Sequence, residues 1–106
     1  MKRKEVPITN KFGLHARPAA LLVELASTFE SEVQLVKEET EVNAKSILGV
    51  MMLAAGPGNN VTIVAAGKDE EDAVKAIATL IENRFGEEEG DTRTISTTTK
   101  VGRERE

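Results

Sequence analysis

Apolar and polar residues alternate from Glu5 to Thr9, with Val6 and Ile8 on one side and Glu5, Pro7 and Thr9 on the other, so this stretch reads as a strand with one buried face. Pro7 lacks a ladder donor and makes it an edge strand. Further along, Leu22, Leu25, Ala26 and Phe29 recur at helical spacing and predict a helix from about Ala16 to Phe29, with Arg17, Ala20, Glu24 and Ser27 along the opposite stripe. Alternation returns from Glu32 to Lys37 through Val33 and Leu35. A charged turn at Glu38 and Glu39 then leads into Thr40 to Asn43, which completes a hairpin. Ser46 is placed to cap a short helix over Ile47 to Leu53. Gly56, Pro57, Gly58, Asn59 and Asn60 cannot continue that helix and form a loop before a strand from Val61 to Ala66. Asp69 opens the last helix, with acids through Asp72 in its first turn. It buries Ala73, Ile77, Leu80 and Ile81 and ends near Phe85 and Gly86. The resulting order is β-α-β-β-α-β-α. Three helices stacked on one face of a four-stranded antiparallel sheet satisfy every apolar stripe, an α+β arrangement.

The 106 residues fit one domain, and 40% apolar content suffices for a small core. Eighteen acidic against fourteen basic residues give a net charge of -4, which argues against nucleic acid as a general partner. Cysteine is absent and there is one histidine, so disulfides, thiol chemistry and a zinc site are not expected. The N-terminal MKRKEVPI leads into no apolar run of signal-peptide length, and no segment reaches the roughly 20 residues of a membrane span. A cytoplasmic protein with no membrane insertion is expected. From Glu87 to Glu106 the chain is polar and threonine-rich, so it is read as a disordered tail beyond a domain of residues 1–86.

The single histidine, His15, stands where the glycine-bearing loop meets the first helical stripe. Pro18 belongs in a first helical turn, because the amide hydrogen it lacks would have had no partner there. The amides of Ala16 and Arg17 are then left unclaimed by the helix. With the helix dipole and the Arg17 guanidinium they make a site for a doubly charged oxyanion, of which a phosphoryl group is the natural case. A neutral imidazole can attack phosphorus through a ring nitrogen, which would deliver the group into that site. A lone histidine more often caps a helix or lies idle, but such a cap would not require the neighbouring arginine and proline.

The segment GLHARPAA, Gly13 to Ala20, closely resembles the active-centre motif of the HPr family, the histidine phosphocarriers of the bacterial phosphoenolpyruvate-dependent phosphotransferase system. NAKSILGVMML, Asn43 to Leu53, is similar to that family's second signature at the expected separation. The resemblance covers about residues 4–86 and implies an open-faced β-sandwich. It also implies phosphoryl acceptance on His15 from phosphorylated enzyme I and delivery to an enzyme IIA component. Such a protein is a stoichiometric carrier, not a complete enzyme, and needs no cofactor. Ile47, Leu48, Met51 and Met52 crowd a helix too short to bury them all, so Ile47, Leu48 and Met51 are read as a partner surface, and Val50 and Leu53 as core. HPr-like proteins dock through this helix, and Phe12 and Ala20 are expected to share the surface. The serine matching Ser46 is phosphorylated by a dedicated kinase in many HPr-like proteins, which adds a serine kinase/phosphorylase to the expected partners. ITNKFGLHARPA, Ile8 to Ala19, also resembles the nitrogen-branch carriers, and a nitrogen-branch or purely regulatory carrier is the alternative. Some sugar-branch members carry lysines where Glu24, Ser27 and Gly49 stand here, so their docking electrostatics do not transfer directly. A small-ligand-binding α/β sandwich whose histidine never turns over is a third reading. A monomer is expected.

Overall fold

Strand β1 spans Lys2–Pro7, helix α1 Ala16–Ala26, strands β2 and β3 Glu32–Lys37 and Thr40–Asn43, helix α2 Ile47–Met52, strand β4 Asn60–Ala66 and helix α3 Glu70–Glu82. The computed structural model describes residues 1–86, and the tail from Glu87 to Glu106 lies outside the described residues. All strand pairs are antiparallel in the order β1-β4-β2-β3, with the three helices on one face. This is the expected open-faced sandwich. The core lies between that face and the helices, where Val6, Val33, Leu35, Val61 and Ile63 meet Leu22, Val50 and Ile77.

The first strand begins earlier than the alternation suggested and stops before Thr9. Lys2, Arg3 and Lys4 pair with Ala65, Val64 and Ile63, so the basic stretch before Glu5 is part of the edge strand. Lysine is tolerated there because its long stem reaches water from a strand that has one open side. Lys4 meets Glu82 of α3 at 3.7 Å. Ile8 is buried just past the strand and donates its amide to Asn59.

Helix α1 ends at Ala26, not Phe29. Its last carbonyls are taken by tighter turns, Thr28 to Leu25 and Phe29 to Ala26, and the Thr28 hydroxyl donates to Leu25 at 2.7 Å. Leu25 and Phe29 are consequently only half-buried, while Pro18, Ala19, Leu22 and Ala26 face the core. In α3 the buried stripe is Ala73, Val74, Ile77, Ala78 and Ile81, and Leu80 is half-buried instead of core. That helix stops at Glu82, and Arg84–Gly86 form a separate turn that carries Phe85 back into the core.

Asp69 does stand at the start of α3, but its carboxylate does not cap that helix. It accepts instead from the amides of Glu30 and Ser31, both at 2.9 Å, and from the Ser31 hydroxyl. These bonds tie the α1–β2 connection to the β4–α3 connection.

Candidate functional site

The loop from Asn10 to His15 is built from both sides. Buried Asn10 donates its side-chain amide to the Gly13 carbonyl at 2.8 Å and accepts the Gly13 amide on its own carbonyl at 3.2 Å. Gly13 has φ +65°, and a Cβ there would run into the Ala55 carbonyl and the Gly56 Cα, so glycine is required twice over. Leu14 then donates its amide to Ala55 at 2.9 Å and buries its side chain, which anchors the residue immediately before His15. The Ala55–Asn59 loop is braced in turn by Gly56 donating to the Asn59 side chain at 2.8 Å and Gly58 donating to Ile8 at 2.9 Å.

His15 occupies the N-cap position of α1 in an extended conformation, φ -81° and ψ -171°. Its side chain makes no capping hydrogen bond to that helix, which removes the structural-cap reading. Its carbonyl accepts the amide of Ala19 at 2.9 Å, the first turn's closing bond. The amides of Ala16 and Arg17 precede that bond and have no acceptor within the helix, and Pro18 has no donor. No acid stands in this first turn, whereas α3 carries Glu70, Glu71 and Asp72 in its own. The positive end of α1 is therefore not neutralised by its own side chains. Arg17 is exposed beside it, and Ala20 is half-buried rather than fully open.

Phe12 packs against His15 in a T-shaped arrangement, with centroids 5.9 Å apart and planes at 89°. It is also 67% exposed, together with Ile47, Leu48, Met51 and Met52 on α2. Val50 and Leu53 are buried, which completes the division of that short helix into a core side and an outer side. Met52, at 70% exposure, belongs to the outer surface although the spacing alone did not assign it. Ser46 caps α2 by accepting the Gly49 amide at 3.0 Å. Lys45 beside it reaches the Phe29 carbonyl at 2.8 Å, linking the start of α2 to the end of α1.

The Ala54–Ala55 segment escaped sequence reasoning. Ala54 has φ +56°, the left-handed residue that ends α2, and its successor supplies the acceptor for Leu14. Alanine carries no turn signal, so nothing in the sequence marked this position. Asn10 did carry one, an Asn three residues before a Gly, the spacing at which a side chain can close its own loop.

The family model for the PTS HPr component phosphorylation site matches residues 2–83. The phosphocarrier protein HPr of Cupriavidus necator is 51% identical over 89 residues, 84% of this chain and 100% of that protein. Among solved structures, HPr-C-His from Thermoanaerobacter tengcongensis superposes with a TM-score of 0.81 at 53% identity, covering 84% of this chain and 100% of its own. An HPr dimer from the same organism gives a TM-score of 0.66 at 53% identity, over 82% of this chain and 100% of that one.

Proposed function

This chain belongs to the HPr family of phosphotransferase-system phosphocarriers, and from that premise we propose that it takes a phosphoryl group onto His15 from phosphorylated enzyme I and hands it to an enzyme IIA component. The observation that carries the reading is His15 at the mouth of a helix whose first amides and dipole are unopposed by acids. Nε2 is covered by protein atoms, which directs acceptance to Nδ1. In the forward step neutral Nδ1 attacks phosphorus, the N–P bond forms, and the bond from phosphorus to the donor's carrier atom breaks. The phosphoryl oxygens then lie within reach of the Ala16 and Arg17 amides, with the Arg17 guanidinium countering their charge. Transfer onward is the same step in reverse with a new acceptor. In this reading the protein acts as a monomer and as a stoichiometric carrier, each phosphoryl group taken onto His15 being passed on before the next is accepted.

The partner surface is Phe12, Ala20 and the outer side of α2. Both partners use it in turn, which suits methionines, since their flexible thioethers repack against different surfaces. Ser46 lies at the edge of that surface. Its phosphorylation by a serine kinase would place up to about two negative charges where the donor must approach. The helix would tolerate the modification, because negative charge is favoured at its N-terminus.

The test is incubation with enzyme I and phosphoenolpyruvate, followed by intact mass and phosphorus–nitrogen NMR. One acid-labile phosphate on Nδ1 of His15 is the expected result. An unmodified mass overturns the carrier reading, and a label on Nε2 overturns the choice of nitrogen.

A further inference from the structure

Phe12 is 67% exposed, an unfavourable place for a phenyl ring, yet it is not without neighbours. Two contacts hold it. Its ring stands at 89° to the His15 imidazole with centroids 5.9 Å apart, inside the range where edge-to-face pairs attract. The Lys11 ammonium also lies over this ring, 5.4 Å from the centroid, within cation–π reach. The backbone that brings these side chains together is itself fixed, because Gly13 between Phe12 and Leu14 is locked by Asn10 and Leu14 by Ala55. Lys11 and His15 thus both contact the Phe12 ring, on a loop braced by hydrogen bonds at Gly13 and Leu14.

We propose that Phe12 is a positioning residue for phosphoryl transfer, its ring, steadied by Lys11, holding the imidazole of His15 in the orientation that points Nδ1 at the start of α1. The proposal rests on the carrier reading but concerns a different property of the site. The Phe12 ring meets the imidazole edge to face, and a perpendicular aromatic neighbour restricts the rotation of that imidazole without occupying a ring nitrogen. Docking and positioning predict different behaviour when no partner is present. A surface used only for docking has no effect on a small phosphoryl donor, whereas an orienting contact acts on every donor.

Phosphoramidate is such a donor. Neutral Nδ1 attacks its phosphorus, the new N–P bond forms, the donor's own P–N bond breaks, and ammonia leaves with the three hydrogens the zwitterionic donor's nitrogen already carries, the ring keeping its hydrogen on Nε2. The experiment measures the rate of His15 labelling by phosphoramidate for wild type, Phe12→Ala, Phe12→Tyr and Lys11→Met, with the His15 side-chain rotamer read by NMR couplings in the unlabelled proteins. An edge-to-face pair is worth about a 2- to 10-fold population bias, so Phe12→Ala is expected to slow labelling by that factor and to average the rotamer couplings. Phe12→Tyr restores both, and Lys11→Met gives a smaller loss. With enzyme I as donor, kcat falls in Phe12→Ala beyond any change in KM. Wild-type phosphoramidate labelling and unchanged couplings in Phe12→Ala overturn the proposal and leave Phe12 as a docking residue. Absence of label in every variant, wild type included, would instead count against the carrier reading.

Discussion

Arg17 has no buried partner to lose, since it is exposed in the first turn of α1, so its contribution falls on the transferring charge and not on the fold. Arg17→Ala is therefore expected to slow transfer from phosphorylated enzyme I while leaving the melting temperature in place. A hydrogen bond to a charged group is worth about 1.5 to 3 kcal/mol, which corresponds to at least about a 10-fold loss of rate. Wild-type kinetics would take arginine out of the mechanism. Asp69 shows the opposite division, a charged residue that serves the fold alone. The Ser31 hydroxyl, followed by the Glu30 amide, holds its carboxyl at about 2, below the ordinary 3.8. A carboxyl depressed in the folded state stabilises it fully above about pH 4, and that contribution fades as pH falls from 3.8 towards 2. Asp69→Asn should accordingly melt lower than wild type at neutral pH, with the gap closing over that acidic window. Parallel melting curves from pH 7 down to pH 2 would show that the carboxylate contributes nothing.

At the scale of elements, α2 is the piece on which two demands meet, one for a stable short helix and one for an adaptable surface. Ser46 supplies the cap and the exposed Ile47, Leu48, Met51 and Met52 supply the surface. Ser46→Asp should separate these demands. Aspartate is also a good N-cap, so stability should hold, but a donor covering Leu48 must come within about 8 Å of the new charge, where salt screens poorly. Transfer should fall for Ser46→Asp and stay normal for Ser46→Ala; a wild-type rate for Ser46→Asp would leave Ser46 as a cap only. The C-terminal end of the same helix offers a second test. Ala54 adopts φ +56°, where glycine avoids a cost of roughly 1 kcal/mol that a Cβ incurs. Ala54→Gly should raise the melting temperature by a few degrees, less what the more flexible unfolded chain takes back. An unchanged or lower value would mean the position is unstrained. These two ends also mark what the sequence made legible. Ser46 announces itself because its hydroxyl can do one local job, and His15 because Arg17 and Pro18 flank it. Ala54 could not, since its conformation is imposed by the Ala55–Leu14 bond, a contact between residues 41 apart. Helix ends are hidden for a similar reason, as at Phe29, where apolar spacing runs on past the point at which tighter turns take over.

For the molecule as a whole, period-two alternation identified strands without identifying their partners. β4 lies between β1 and β2, so both its pairings join segments far apart in the chain, and only the closed fold fixes them. The far face of the sheet carries Arg3, Glu5, Thr62, Gln34, Glu41 and Asn43 around Val36 and Val64, a mixed surface that does not demand a further layer. At the other end of the fold, Phe85 turns back into the core at 5% exposure, closing the helical layer just after α3. Within residues 1–86 the sheet and helices thus cover one another's inward stripes, leaving Phe12 and the outer side of α2 exposed, and the family match over residues 2–83 spans the same unit. We therefore expect a chain ended after Gly86 to fold and to accept phosphate as the full chain does. One ended after Glu82 should melt well below it, because it lacks the Phe85 ring, and losing a buried phenylalanine side chain costs about 3 to 5 kcal/mol. For a domain of this size about 1 kcal/mol moves the midpoint by roughly 4 to 8 °C, so melting curves of the two truncations resolve both statements. A drop of that order already at Gly86 would show that residues 87–106 contribute to the domain and that its boundary lies further along the chain.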